Sequence, residues 1–234
     1  IEGEERVQAI LPLGKEDLDK KDTYLFFTTR QGTVKKTLLS QYANIKSNGL
    51  IAINLTKKDQ LVWVNQTSGD HHILLVTRDG KSIRFKESDV RATKRDTMGV
   101  RGISLKKDDF CVSLECFTSN QVKFKDKRKK AFRDLLIVTK NGLGKRTPLN
   151  QYPAQKRGGQ GLKVSDVTEK TGKIAGAVMV DQNSDELIIT TTKAQAIKLP
   201  IKNITVLKRP TQGVILMRFN KAGDSVAAIT AINK

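Results

Sequence analysis

Lys36, Arg84, Arg146 and Lys198 each stand four residues after a turn position, at Gly32, Gly80, Gly142 and Ala194. Three residues before each turn position is a threonine: Thr29, Thr77, Thr139 and Thr191. Residues 24–37, 72–86, 134–147 and 186–199 are four copies of one unit. A cation held in register through an internal repeat repeats an electrostatic surface. The chemistry open to such a surface is the capture of a polyanion, not the making or breaking of bonds.

A second set of cations follows the same register. Each copy has a later glycine, Gly49, Gly99, Gly161 or Gly213, and cations precede it: Lys46, Lys94-Arg95, Lys156-Arg157 and Lys208-Arg209. Glycine lets backbone N–H groups come close to a phosphate. Arginine can fork two donors onto phosphate oxygens, whereas lysine supplies a point charge. Lys35, Lys86, Lys145 and Lys163 lie beside the two rows. On a disc the rows are expected to form one curved track for a phosphate backbone, read with little sequence preference. The alternative for the glycine loops is a latch from one unit to the next.

Lys and Arg total 43 against 24 Asp and Glu, a formal net charge of +19 in 234 residues. Such an excess points to nucleic acid as partner. Aromatic residues make up only 5% of the chain, which favours duplex over stacked single strands. No apolar run approaches the roughly 20 residues that span a bilayer, and no signal peptide is evident, so a cytoplasmic protein without a membrane partner is expected. Cys111 and Cys116 are five apart in one apolar stretch, on opposite faces if it is a strand, so two free thiols are expected. His71 and His72 adjoin without a cysteine or carboxylate cluster, and no nucleotide-binding glycine loop occurs. Neither catalytic residues, a metal nor a cofactor is expected. Trp63, Phe26, Phe27 and Phe219 read as core.

The elements that must carry these cations are strands. The first segment of each copy is a short continuous apolar run, as in 72–76 and 135–138, expected to be buried on both faces. Asp79-Gly80 and Asn141-Gly142 predict two-residue hairpins. Third strands are expected at 50–55, 100–105, 162–167 and 214–219, and fourth strands at 61–64, 111–114, 174–180 and 226–232. Residues 6–13 match a fourth strand, as if the chain opened inside a preceding unit. Repeated four-stranded units of about 50 residues predict an all-β, propeller-like single domain over 1–234. The repeat limits fall near 5–60, 61–110, 111–172 and 173–224, with a final strand over 225–234. The linker 117–133 carries a basic run, Lys123, Lys125, Lys127, Arg128, Lys129, Lys130 and Arg133.

Gln155-Lys156-Arg157-Gly158-Gly159-Gln160-Gly161 resembles the Gln-Arg-Arg-Gly-Gly-Lys-Gly box of the DNA gyrase A subunit at five of seven positions. Tyr24-Leu-Phe-Phe-Thr-Thr, Asn48-Gly-Leu-Ile-Ala, Ile83-Arg-Phe, Val100-Arg-Gly-Ile and Gly142-Leu-Gly-Lys-Arg-Thr are similar to phrases of the same family, in the same order. The resemblance covers essentially the whole chain and is to the C-terminal domain of that subunit. It implies a β-pinwheel, usually of six blades, that wraps duplex DNA on a basic rim so that the holoenzyme introduces negative supercoils. It also implies partners: the rest of the A subunit and the B subunit in an A2B2 assembly, with catalysis located elsewhere. The family's main box usually lies in the first blade, whereas here the match is in the third copy. The box residues, both cation rows and their neighbours are carried forward as DNA-binding candidates. The competing readings are the matching domain of topoisomerase IV, in which the box is degraded, and a protein-binding propeller.

Overall fold

The computed structural model describes residues 7–45, 47, 49–118 and 133–233. Apart from a five-residue helix, α1 (Lys15–Asp19), and short 3-10 turns, the regular elements are strands. The first copy forms β1 (Tyr24–Thr29), β2 (Thr33–Leu38) and β3 (Leu61–Thr67), and the second β4 (His71–Thr77), β5 (Lys81–Lys86), β6 (Val100–Arg101) and β7 (Cys111–Thr118). The third forms β8 (Arg133–Thr139), β9 (Leu143–Pro148), β10 (Leu162–Lys163) and β11 (Ile174–Asp181). The fourth forms β12 (Ser184–Thr191), β13 (Ala196–Pro200), β14 (Val214–Ile215) and β15 (Val226–Asn233).

Each copy's turn is built by its threonine. The N–H of Gly32, Gly80, Gly142 and Ala194 donates to the carbonyl of Thr29, Thr77, Thr139 and Thr191. The following residue's N–H donates to the same threonine's hydroxyl, at 3.0–3.2 Å in the four copies. Three residues, not two, separate β4 from β5 and β8 from β9, which corrects the hairpin length read from Asp79-Gly80 and Asn141-Gly142. The extra residue, Arg78 or Lys140, turns its N–H to the neighbouring fourth strand's end, at Phe110 O and Lys173 O. The turn glycine is then left-handed, with φ near +80° at Gly32, Gly80 and Gly142. Ala194 holds the same conformation at φ +62° with a Cβ that disfavours it. Ala194→Gly is expected to raise stability by roughly 0.5–1 kcal/mol, read as a higher denaturation midpoint with unchanged slope.

The sheets do not follow the copies. Their strand orders are β3-β1-β2-β6, β10-β5-β4-β7, β11-β8-β9-β14 and β13-β12-β15. The short strand after each second glycine leaves its own copy and pairs with the outer strand of the sheet before it: Val100 with Val34, Leu162 with Ser82, and Val214 with Gly144. The repeat limits drawn after 60, 110, 172 and 224 also cut β3, β7, β11 and β15 from the first strands they pair with, β1, β4, β8 and β12. The third strand expected at 50–55 is not formed. Its equivalents exist only by joining a preceding sheet, and no such sheet occurs among the described residues. The strand expected at 6–13 is likewise absent over 7–13, and Arg6 lies outside the described residues. Leu11 and Leu18 instead pack with Leu25, Phe27 and Leu39 on the outer face of the first sheet.

Core clusters lie between successive sheets. Phe26, Val34, Ile73, Phe85 and Ile103 join the first two, Leu74, Leu135, Tyr152 and Val164 the next two, and Leu136, Leu187, Ile201 and Met217 the last two. That sandwiching explains why β4 and β8 are buried along nearly their whole length, and the cluster around Leu11 and Leu18 covers the outer face of β1 to the same effect. β12 alternates instead, since no described sheet covers its far side. Phe26 and Phe27 are core as expected, whereas Trp63 and Phe219 are only partly buried at its margin.

Fourth strands β3, β7, β11 and β15 pack in succession on the inner side. Each carries a bulge at one register position against the first strand. The bulge at Val112 shifts the pleat, so Cys111 and Cys116 face the same cluster rather than opposite faces. Both are free thiols, and burial pushes Cys111 up to about 12.

On this inner side the half-buried Glu115 accepts from Met179 N–H at 3.1 Å and Ser113 Oγ at 3.0 Å, tying β7 to β11. Burial raises its carboxyl to about 7, against the lowering effect of those hydrogen bonds. The folded state therefore holds a proton on Glu115 that the unfolded chain releases above its ordinary carboxylate pKa. Stability contributed by this proton is present at low pH and is lost as pH climbs from about 4.5 to 7, by about 1–3 kcal/mol. Glu115→Gln should flatten that part of the stability–pH curve in denaturant melts, while an unchanged slope would remove Glu115 from the account.

Candidate nucleic-acid interface

Burial divides the predicted cations into two groups with different work. In the row that follows the turns, Lys36, Arg84 and Arg146 are each only 7% exposed. All three point between sheets. Lys36 Nζ lies 3.8 Å from a carboxylate oxygen of Glu87, which also accepts from Thr67 Oγ1 and His71 N–H. Burial alone would raise Glu87, but the bonds from His71 and Thr67 and the charge of Lys36 hold it below the usual carboxylate range. Arg84 donates to Tyr152 O at 2.9 Å, and Arg146 to Ile204 O at 2.9 Å and Asp134 Oδ2 at 3.3 Å. Lys35 and Lys145 are fully buried and bond to carbonyl groups of the loops beside them.

This corrects the expectation that Lys35, Lys36, Arg84, Lys145 and Arg146 touch DNA. A cation buried between sheets and bonded there to carbonyl or carboxylate oxygens lies away from the surface that a phosphate would reach. Only Lys198 of that row is exposed, paired with Glu186 at 2.8 Å, because no described sheet packs beyond the fourth.

The glycine loops are the other group. Within each of the first three sheets the order from inside to outside is fourth strand, first strand, second strand, donated strand, and the fourth sheet has the first three of these alone among the described residues. The loop that delivers the donated strand therefore runs along the outer edge of the preceding sheet. Steric fit makes its last residue glycine: a Cβ on Gly99 would meet Val34 O at 2.5 Å, on Gly161 Ser82 O at 2.4 Å, and on Gly213 Gly144 O at 2.7 Å.

In these loops the Lys-Arg pairs split their roles. The arginine reaches back to the copy before it. Arg95 Nη1 donates to Ile51 O at 3.4 Å, Arg157 Nη1 to Arg101 O at 3.1 Å, and Arg209 Nη1 to Lys163 O at 2.9 Å. Those acceptors occupy one position, two residues after the second glycine. Lys94, Lys156 and Lys208 are exposed. Exposed Lys163 and Arg101 sit on the donated strands beside them, Lys163 in a 2.5 Å surface pair with Asp166, and Lys86 is exposed at the end of β5. Arg101 was missed by sequence reasoning, although its register equivalence to Lys163 was a readable signal.

The segment Gln155–Gly161 is both latch and surface. Gln155 N–H donates to Arg84 O at 2.7 Å and Gly158 N–H to Gly102 O at 2.7 Å, while Ser104 donates to Gly158 O and Gly159 O. Gly158 and Gly161 are left-handed, at φ +81° and +70°. Lys156, Gly159 and Gln160 face solvent. Of the first copy's loop, Lys46 and Asn48 lie outside the described residues, as do Lys123, Lys125, Lys127, Arg128, Lys129 and Lys130 of the basic linker.

Four segments, 23–68, 71–118, 133–181 and 185–233, match the family described as DNA gyrase C-terminal domain, beta-propeller. Each begins and ends with a first-to-fourth-strand unit as the structure draws it. The chain belongs to this family.

Relatives carry the same name at whole-protein scale. The chain is 39% identical over 227 residues to the DNA gyrase A subunit of Deinococcus deserti, covering 96% of this chain and 26% of the relative. It is 39% identical over 218 residues to the DNA gyrase A subunit of Salmonella typhimurium, covering 93% and 23%. It thus spans about a quarter of the length of the curated relatives it matches. Two solved structures share the fold closely. The crystal structure of the C-terminal domain of DNA topoisomerase IV superposes with TM-score 0.80 at 27% identity, over 91% of this chain and 62% of that one. A DNA gyrase A C-terminal domain superposes with TM-score 0.75 at 25% identity, over 91% and 66%.

Proposed function

We propose that this chain is the DNA-binding and DNA-wrapping part of a gyrase A subunit, and that it performs no catalysis itself. The observation that carries this is the row of exposed cations at one structural position, the outer sheet edge: Lys94 with Arg101, Lys156 with Lys163, and Lys208. Duplex phosphates that follow successive sheet edges meet one such group per blade. Smooth bending of a 20–30 base-pair site costs of order 1–6 kcal/mol, and repeated phosphate contacts offset it. Because these contacts are to the backbone, little base preference is expected and strong salt dependence is.

In this reading the curved DNA is handed to the remainder of an A2B2 holoenzyme, with the B subunit supplying ATP hydrolysis, so that strand passage introduces negative supercoils in the bacterial cytoplasm. Lys198, Lys86 and the box residues Gln155, Gly158, Gly159, Gln160 and Gly161 remain part of the proposed surface. Arg95, Arg157 and Arg209 border it from their latch positions. No cofactor is required for this role.

Topoisomerase IV is the second reading, favoured by the higher structural overlap with its C-terminal domain. The five-of-seven box match and the gyrase A relatives favour gyrase. The two separate in a reconstituted holoenzyme: the proposal expects negative supercoiling of relaxed plasmid with ATP. Relaxation and decatenation alone would transfer the chain to the topoisomerase IV reading.

A further inference from the structure

Two buried lysines do something that the proposed surface depends on. Lys145 Nζ lies 2.8 Å from Lys208 O and 2.9 Å from both the carbonyl and the hydroxyl oxygen of Thr211, with Arg209 O also in bonding contact. Lys35 Nζ bonds Ala52 O at 2.6 Å and Arg95 O. Both lysines thus reach from the second strand of one copy into the cation loop of the next. A lysine ammonium has three donors and no acceptor, which suits a nest of carbonyls.

The middle junction is built differently. Ile83 occupies the lysine's place, and its Cδ1 is 3.7 Å from where a Cβ on Gly159 would be. Gly159 in turn replaces the threonine of the other loops, Thr97 and Thr211, whose hydroxyls close back onto Lys94 O and Lys208 O. The pairings down the chain are Lys35 with Thr97, Ile83 with Gly159, and Lys145 with Thr211.

We propose that Lys35 and Lys145 are positioning residues for DNA: each buried ammonium holds the next loop by its carbonyls and so fixes how Lys94 and Lys208 meet phosphate, while the Lys156 loop is held without one. The inference rests on the DNA-binding reading above.

A consequence is a pH response confined to two of the three described loops. Burial lowers both lysines to about 8. Arg95 also lowers Lys35 while Asp96 raises it, and Arg209 lowers Lys145 while Asp166 raises it. Tyr42 Oη shares the Ala52 carbonyl with Lys35, and the Phe27 ring lies 5.6 Å from its Nζ. Above about pH 8 the Lys145 amine keeps two N–H donors for four acceptors, while the Lys35 amine keeps two for two and loses the positive charge that strengthens those bonds. By linkage, DNA that prefers the ammonium-held loops draws protons onto these lysines, and its affinity falls as pH rises through this range.

The test uses the whole 234-residue chain. The variant is the quadruple change Lys35→Ile, Thr97→Gly, Lys145→Ile and Thr211→Gly, which installs the pairing the chain already folds with at Ile83 and Gly159. Affinity for a 40-base-pair duplex is measured at pH 7 and pH 9 at one salt concentration. Wild type should bind roughly tenfold more weakly at pH 9, and the variant should change less than twofold. Both carry the same N-terminal amine, so its titration cancels. Amide NMR without DNA is the second arm: the Thr97 and Thr211 signals of the wild type should move with a midpoint near pH 8, and Gly159 should not. Loop signals that do not titrate overturn the clamp. Titrating loops with equal pH dependence of binding in both proteins overturn the positioning role and leave the DNA reading standing. Titrating loops with no duplex binding at either pH overturn the DNA reading and, with it, the positioning role, leaving only the clamp.

Discussion

Arg146→Met is expected to lower the melting temperature by roughly 10 °C while leaving any duplex affinity per folded molecule unchanged. Arg146 is the only cation placed 3.3 Å from Asp134 Oδ2 among the described pairs, and both side chains are at least nine-tenths buried. Burial already raises Asp134, and Arg146 opposes that rise. Removing the guanidinium strands a carboxylate between sheets and frees Ile204 O, a change of about 3–5 kcal/mol for a broken buried pair. A chain of this length loses roughly 2–4 °C per kcal/mol. Arg146→Met with Asp134→Leu should recover much of the loss, because two apolar groups need no partner. The check is calorimetry together with binding per folded molecule. A large loss of DNA affinity at full stability would return Arg146 to the binding surface.

The second large effect is on binding and leaves the fold intact. Changing Lys94, Lys156, Lys163 and Lys208 to Ala together should lower duplex affinity at least about 100-fold near 0.1 M salt. The slope of log affinity against log salt should shrink by roughly 3–4, about 0.9 for each lost phosphate contact. All four side chains are exposed, and only Lys163 has a described partner, Asp166, in a weak surface pair. The melting temperature should therefore stay within about 2 °C. Fluorescence anisotropy across a salt series measures the slope directly.

These two outcomes separate cations that the sequence presents as equals. Lys35 and Lys163 look alike in a string of residues, and one is buried while the other is exposed. The turn chemistry was legible because it is local: a threonine, a glycine and the strand between them decide it. Burial of β4 and β8 on both faces was legible too, from their unbroken apolar runs. Those runs already implied that something covers each face, and Arg84 and Arg146 lie on the strands paired to them, as Lys36 does on the strand paired to β1. What no local pattern specifies is which copy a two-residue strand joins. Val100 and Arg101 follow Gly99 in the chain, yet hydrogen-bond to Thr33 and Val34. That exchange moves each cation loop to its neighbour's outer edge, turns one row of predicted contacts inward and leaves the other outside. The bulge at Val112 works at smaller scale, placing Cys111 and Cys116 on one cluster despite their odd spacing.

The central claim is that exposed lysines on successive sheet edges hold curved duplex. Ligation of nicked plasmid in the presence of the chain tests it most directly. The account predicts a linking-number shift of one sign that grows with protein bound, and that the fourfold Lys→Ala protein fails to produce even when its higher concentration restores occupancy. Full occupancy by the wild type with no shift in linking number would contradict it.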